Sequence, residues 1–183
     1  MPFATLDPVT ALVVIDLQKG IVGLPTAHPA ADIVDRASQL ARAFREHGRP
    51  VVLVNVAGVA PGRTDAPGRS GALPPDWSQL VPELDAQASD QRVTKMQWGA
   101  FLGTSLDQYL RRRGVTQIVL VGISTSIGVE STARAAYELG YNVVLAIDAM
   151  TDLDADAHRN SVTKIFPRLG EVTTTSAVLA ALR

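Results

Sequence analysis

Four apolar runs set the frame of this chain: Ala11-Leu-Val-Val-Ile15, Val51-Val-Leu-Val-Asn-Val56, Gln117-Ile-Val-Leu-Val121 and Asn142-Val-Val-Leu-Ala-Ile147. They are rich in β-branched residues and continuous rather than alternating, which predicts strands buried on both faces, as in a parallel sheet. Between them the period changes. Ala31 to His47 places Ile33, Ala37, Leu40, Ala41 and Phe44 at three-to-four spacing, and Leu102 to Arg113 and Gly128 to Leu139 read as further helices. Strand followed by helix, repeated, predicts a doubly wound three-layer α/β/α fold with a six-stranded, mostly parallel sheet. Gly48, Gly114 and Gly140 each follow a helical pattern and precede a strand, where C-terminal caps belong.

Two stretches break the pattern. Ala57 to Pro75 is rich in Gly and Pro, lacks an apolar period and carries Arg63 and Arg69, so it predicts a long surface loop. Arg92-Val-Thr94 predicts a short strand ending at Lys95. No internal repeat, low-complexity tract or interdomain linker interrupts the chain, which predicts one domain over residues 1–183.

Composition narrows the function classes. With 17 basic and 18 acidic residues, a formal charge of −1 gives no electrostatic case for nucleic acid or an anionic membrane; a small neutral or anionic ligand fits better. The longest apolar runs fall far short of the ~20 residues of a membrane span. The chain has no cysteine, which excludes disulfides and Cys-ligated zinc, and no basic stretch followed by an apolar core opens it; both predict a cytoplasmic protein.

In an open parallel sheet, ligands bind beyond the carboxyl ends of the strands. Asp16 follows the first apolar run, Lys95 follows Arg92 to Thr94, and Gly122 to Gly128 follows the run ending at Val121. A carboxylate and an ammonium at buried strand ends are expected to pair, as a structural ion pair or as a functional one. Ser124, Thr125 and Ser126 suit the capping of the following helix. As nucleophiles they would need a base, and His28, His47 and His158 show no pairing with them in the sequence. Asp148, Asp152, Asp154 and Asp156 fit helix N-termini and a solvated turn. Trp98 and Phe101, three apart, suit either a pocket wall opposite Leu24 and Pro25 or ordinary core. Arg63 and Arg69 could clamp a substrate carboxylate, although surface arginines need no such reason.

The segment Gly122-Ile-Ser-Thr-Ser-Ile-Gly128-Val-Glu-Ser-Thr-Ala-Arg134-Ala-Ala-Tyr-Glu-Leu-Gly140-Tyr141 resembles the nucleophile segment of the isochorismatase-like cysteine hydrolases. Asp16-Leu-Gln18, and Lys95 with Trp98 and Phe101 behind it, resemble that family's other motifs in the same order, so the likeness spans nearly the whole chain. The resemblance implies that Asp16 moves protons, that Lys95 holds it charged and oriented, and that Gly128 stands where those hydrolases carry their cysteine. It also implies a cis peptide between Ile123 and Ser124, with N–H groups of Ser124 and Gly128 turned toward anionic oxygen. A substrate site would draw on Gln18, Leu24, Trp98, Phe101, Ser124, Ser126 and Gly128.

Isochorismatases proper carry glycine at that position too, and hydrolyse a vinyl ether by protonating its carbon. The expected activity is therefore small-molecule hydrolysis by an Asp/Lys pair without a cysteine, on a vinyl ether or a C–N bond. A catalytically silent ligand-binding relative is the alternative. No cofactor and no metal are expected, because Asn55-Val-Ala-Gly-Val-Ala60 lacks the Asp and His cluster of nicotinamidase-type relatives. Relatives form dimers or tetramers, which implies a homo-oligomer; Ala133, Ala135 and Ala136 are its expected surface.

Overall fold

The structure is a computed structural model that describes residues 3, 5–65 and 72–182. Arg69 lies outside them. Strands β1 (Thr10–Ile15), β2 (Val51–Val56), β3 (Gln91–Lys95), β4 (Gln117–Ile123), β5 (Asn142–Thr151) and β6 (Glu171–Thr173) form one sheet in the order β3-β2-β1-β4-β5-β6. All five pairings are parallel.

Two apolar clusters explain why the strand runs are continuous. Leu12 and Val14 of β1 face helices α2 (Ala30–Glu46) and α7 (Thr175–Ala181), in a core with Ile33, Ala37, Leu40, Phe44 and Val178. Ala11, Val13 and Ile15 face the other way, toward α3 (Leu106–Arg112), α4 (Glu130–Glu138) and α6 (Phe166–Leu169), with Leu106, Leu110, Ala133, Ala136 and Phe166. Successive side chains of a strand point to opposite faces, and here both faces are covered. The short helices α1 (Lys19–Val22) and α5 (Ala155–Asn160) complete the set.

Ala133 and Ala136 are fully buried, which corrects their expected place on an oligomer surface. Their small side chains let α4 lie close on the sheet instead. The third helix starts at Leu106 rather than Leu102, since Gly103 adopts φ 67° and Thr104 Oγ1 accepts the Leu106 N–H at 3.1 Å. The last expected helix begins as a wider π turn over Thr125–Val129 before α4 continues it. Strand β5 runs on to Thr151 through a register shift against β4 between Leu120 and Gly122. No helix among the described residues is long and apolar enough to cross a membrane.

The strand order reverses between β1 and β4, so the connections leaving their carboxyl ends diverge and open a crevice there. Residues after β1 and β4 are thereby brought together.

Candidate active site

Asp16 is the first residue past β1 and sits at φ 52°, a left-handed conformation that Asp and Asn tolerate better than other side-chain-bearing residues. Its N–H donates to Val54 O at 3.0 Å and its carbonyl accepts from Gln18 N at 2.8 Å, so the turn is fixed on both sides. Gly122 (φ 123°) lets β4 approach at this level, since a Cβ there would collide with the Ile15 backbone.

Lys95 ends β3, two strands away, and its stem runs through the interior: the residue is 2% exposed and Asp16 4%. Nζ donates to Asp16 Oδ2 at 2.7 Å and to Gln97 O at 3.1 Å. The second carboxylate oxygen, Oδ1, is buried and has no hydrogen-bond partner among the described residues. Burial outweighs the attraction of Lys95 and pushes the Asp16 carboxyl up to about 6. The group is therefore poised to exchange a proton close to neutrality.

Gly128 lies in the π turn directly against this pair. A Cβ on it would sit 3.3 Å from Asp16 Oδ2, 2.9 Å from Ile15 Cγ2 and 3.6 Å from the Trp98 carbonyl oxygen. The bond between Ile123 and Ser124 is cis. Thr132 joins the third element to the turn, donating to Gly128 O at 2.6 Å and accepting the Ala100 N–H at 3.1 Å. The ends of β1, β3 and β4 thus meet at Asp16, Lys95 and Gly128.

Other expected site residues are employed differently. The Gln18 amide is fully buried and spent on backbone, donating to Val56 O at 3.0 Å and Trp77 O at 3.1 Å while accepting Val56 N–H at 2.8 Å. It braces the loops rather than presenting a free group. Phe101 packs in the core against Tyr141, with ring centroids 5.7 Å apart, whereas Trp98 is 61% exposed and has its carbonyl oxygen near Gly128. The two part because residues 96–105 are irregular, so spacing of three does not align them. Leu24 is half-buried in the turn closing α1, with its N–H on Ile21 O at 3.1 Å; Arg63 is exposed. One groove of about 420 Å³, lined by Val22, Val34, Ser38, Arg42 and Val81, does not include Asp16 or Lys95.

The hydroxyls of the turn also depart from expectation. Ser124 makes no side-chain cap; its backbone carbonyl accepts Ile127 and Val129 N–H at 3.3 and 3.1 Å. Ser126 N–H is capped by Asp152 Oδ2 at 2.6 Å. Thr125 Oγ1 lies 2.9 Å from His158 Nδ1, a hydroxyl–histidine pairing that sequence reading did not find. Strand β5 neighbours β4, so segments following the two strands are adjacent, which is the signal that could have suggested it. Thr125 is fully buried, which argues against its attacking a substrate. Asp148 and Asp154 serve helix starts, as read, accepting Thr175 N–H at 2.7 Å and Asp156 N–H at 2.7 Å. Among the described residues no three His, Asp or Glu side chains gather to hold a metal ion.

Comparison with known proteins agrees with this architecture. The chain is 50% identical over 182 residues to an uncharacterized isochorismatase family protein, YecD, of Escherichia coli O157:H7, covering 94% of this chain and 96% of that one. It is 36% identical over 150 residues to a streptothricin hydrolase of Streptomyces noursei, over 81% of this chain and 52% of that protein. A solved isochorismatase family protein from Burkholderia thailandensis superposes with a TM-score of 0.93 at 50% identity, over 97% of each chain. The isochorismatase domain model matches residues 10–177, from the first strand into the last helix, and the chain belongs to the isochorismatase family.

Proposed function

We propose that the protein is a small-molecule hydrolase in which Asp16 transfers the proton and Lys95 orients it, with no thiol nucleophile. The observation that carries this reading is the buried pair itself. Oδ2 is held by Lys95 at 2.7 Å, Oδ1 has no hydrogen-bond partner among the described residues, and Gly128 sets no side chain against them. A structural ion pair would be expected to satisfy both oxygens, because an unpaired buried acceptor costs about 1–3 kcal/mol.

Two reactions suit such a group. As an acid, Asp16 protonates the carbon of a vinyl ether; water adds to the resulting oxocarbenium ion and returns a proton to the carboxylate. The hemiketal then breaks its ether C–O bond to leave a carbonyl compound and an alcohol. As a base, Asp16 takes a proton from the water that attacks the carbonyl carbon of an amide-type C–N bond, and gives that proton to the nitrogen as the C–N bond breaks. The chain's lack of cysteine removes the thioester route to C–N hydrolysis, and the vinyl-ether reaction needs no thiol. The same lack of cysteine favours, as the second reading, a silent relative that binds a small carboxylate or carbonyl ligand at this pair.

Turnover of a panel of small vinyl ethers, amides and ureido compounds separates the two: hydrolysis of one supports the enzyme, and none supports the silent binder. The pH profile then assigns the role. An acid loses activity as pH rises through about 6, and a base loses it as pH falls through about 6. In Lys95→Met both influences that lower the Asp16 pKa disappear and only burial remains. The limb is expected to move to higher pH in either role, with lower turnover at its maximum. A limb that stays in place would remove Lys95 from the account.

A further inference from the structure

Beside the Asp16 pair, a second set of side chains grips the turn from the far side. Thr125 is buried with its Oγ1 2.9 Å from His158 Nδ1. The half-buried His158 ring meets the His28 ring at 4.8 Å and 62°. His28 Nδ1 in turn lies 2.9 Å from Thr151 Oγ1, which also accepts the His28 N–H at 3.1 Å. Asp152 reaches the same place, taking Ser126 N–H on its carboxylate at 2.6 Å and Ala27 N–H on its carbonyl at 2.7 Å. Three segments, following α1, β4 and β5, are stapled together at the turn that bears Gly128.

We infer that His158 is a positioning residue for the candidate site: its neutral ring accepts the Thr125 hydroxyl and holds the turn that sets Gly128 against Asp16, and protonation reverses that hydrogen bond and rearranges the turn. The inference rests on the reading that this turn belongs to the working site. A neutral imidazole with its proton on Nε2 offers Nδ1 as an acceptor, whereas the imidazolium is a donor at both nitrogens. Protonation therefore turns the contact round: Nδ1–H donates to Thr125 Oγ1, and the hydroxyl proton must find another acceptor in a buried position, where an unpaired donor is costly.

The surroundings set the direction. Burial, and then the neighbouring His28, hold His158 below the ordinary 6.5, with Asp152 opposing them. Glu130 of α4 is occupied by Arg134 and Ser161; Arg159 pairs with Asp156 at 2.7 Å; Asp154 caps α5; and Lys164 lies on the turn that follows. The neutral-ring arrangement is complete above 6.5 and gives way to the reversed one as pH falls through the lowered value.

Nitrogen-15 and proton NMR of the whole chain tests this without any substrate. The expected result is a His158 ring that carries its neutral proton on Nε2, and Thr125 and Ser126 amide signals that shift with the ring's own midpoint below 6.5. In His158→Asn, whose amide oxygen can stand in for Nδ1 as a non-titrating acceptor, the neutral-pH amide positions are kept and that response vanishes; Asp16's own titration is what remains. A neutral proton on Nδ1, amides that ignore the ring's titration, or an unchanged response in His158→Asn would each overturn the inference. Because the readout is spectroscopic, a lack of hydrolysis counts against the hydrolase reading and not against this one.

Discussion

Asp16→Asn is expected to lower turnover by about 10²–10⁴-fold, the share a positioned proton-transfer group contributes, while the fold survives. The substitution suits the place. Asn, like Asp, tolerates the left-handed conformation at φ 52°, so the turn after β1 keeps its shape. The amide oxygen can still accept from Lys95 Nζ, which sits 2.7 Å from Oδ2 in the native pair, so the buried ammonium keeps a hydrogen-bond partner. Only the proton that can be gained or lost near pH 6 is removed. Circular dichroism and a thermal melt verify the fold, and steady-state kinetics on a turned-over substrate measure the loss. Full activity in this variant would take proton transfer away from Asp16.

The second large effect concerns the position where relatives are expected to carry a thiol. Gly128 is not at positive φ, so Gly128→Cys meets no backbone penalty of the kind a left-handed glycine would impose. Its Cβ must displace Ile15 Cγ2, 2.9 Å away, by a few tenths of an ångström. The new thiol then lies beside the Asp16 carboxylate and its Lys95 ammonium. The carboxylate, already held near 6, is a ready acceptor for the thiol proton, and the ammonium remains to balance the thiolate. A free thiol of pKa ~8.5 is only a few per cent ionised near neutrality, and the first unit of depression raises that fraction about eightfold, further depression adding progressively less. Iodoacetamide should accordingly alkylate the Gly128→Cys protein about threefold or more faster than free cysteine, the gain in thiolate outweighing its lower nucleophilicity. A folded variant that alkylates no faster would mean that the site lacks the electrostatics of a hydrolase, and the silent-binder reading would gain.

The fold was largely legible because its strands are buried on both faces. Runs such as Ala11 to Ile15 stay apolar without alternation, and α2 shows its buried stripe from Ile33 to Phe44 in the residue spacing. What escaped was short or non-local. Strand β6 has three residues and no apolar run, and the π turn over Thr125–Val129 carries no pattern that separates it from the helix it opens. Asp16 and Lys95 could be brought together in advance because both stand directly after strands, and parallel strands deliver their ends to one edge. Gln18, Phe101 and Trp98 could not be sorted, since their use depends on which way irregular segments turn. The same holds for the Thr125–His158 contact, which joins residues 33 apart in sequence through two neighbouring strands.

If Asp16 is a buried acid tuned by Lys95, its protonation can be watched directly by a carbon-13 NMR titration of the Asp16 carboxyl in the native protein and in Lys95→Met. The expected midpoint is about 6 in the native chain and higher once the ammonium is gone, since burial then acts alone. A native midpoint at the ordinary 3.8, or one that Lys95→Met leaves unmoved, would contradict it.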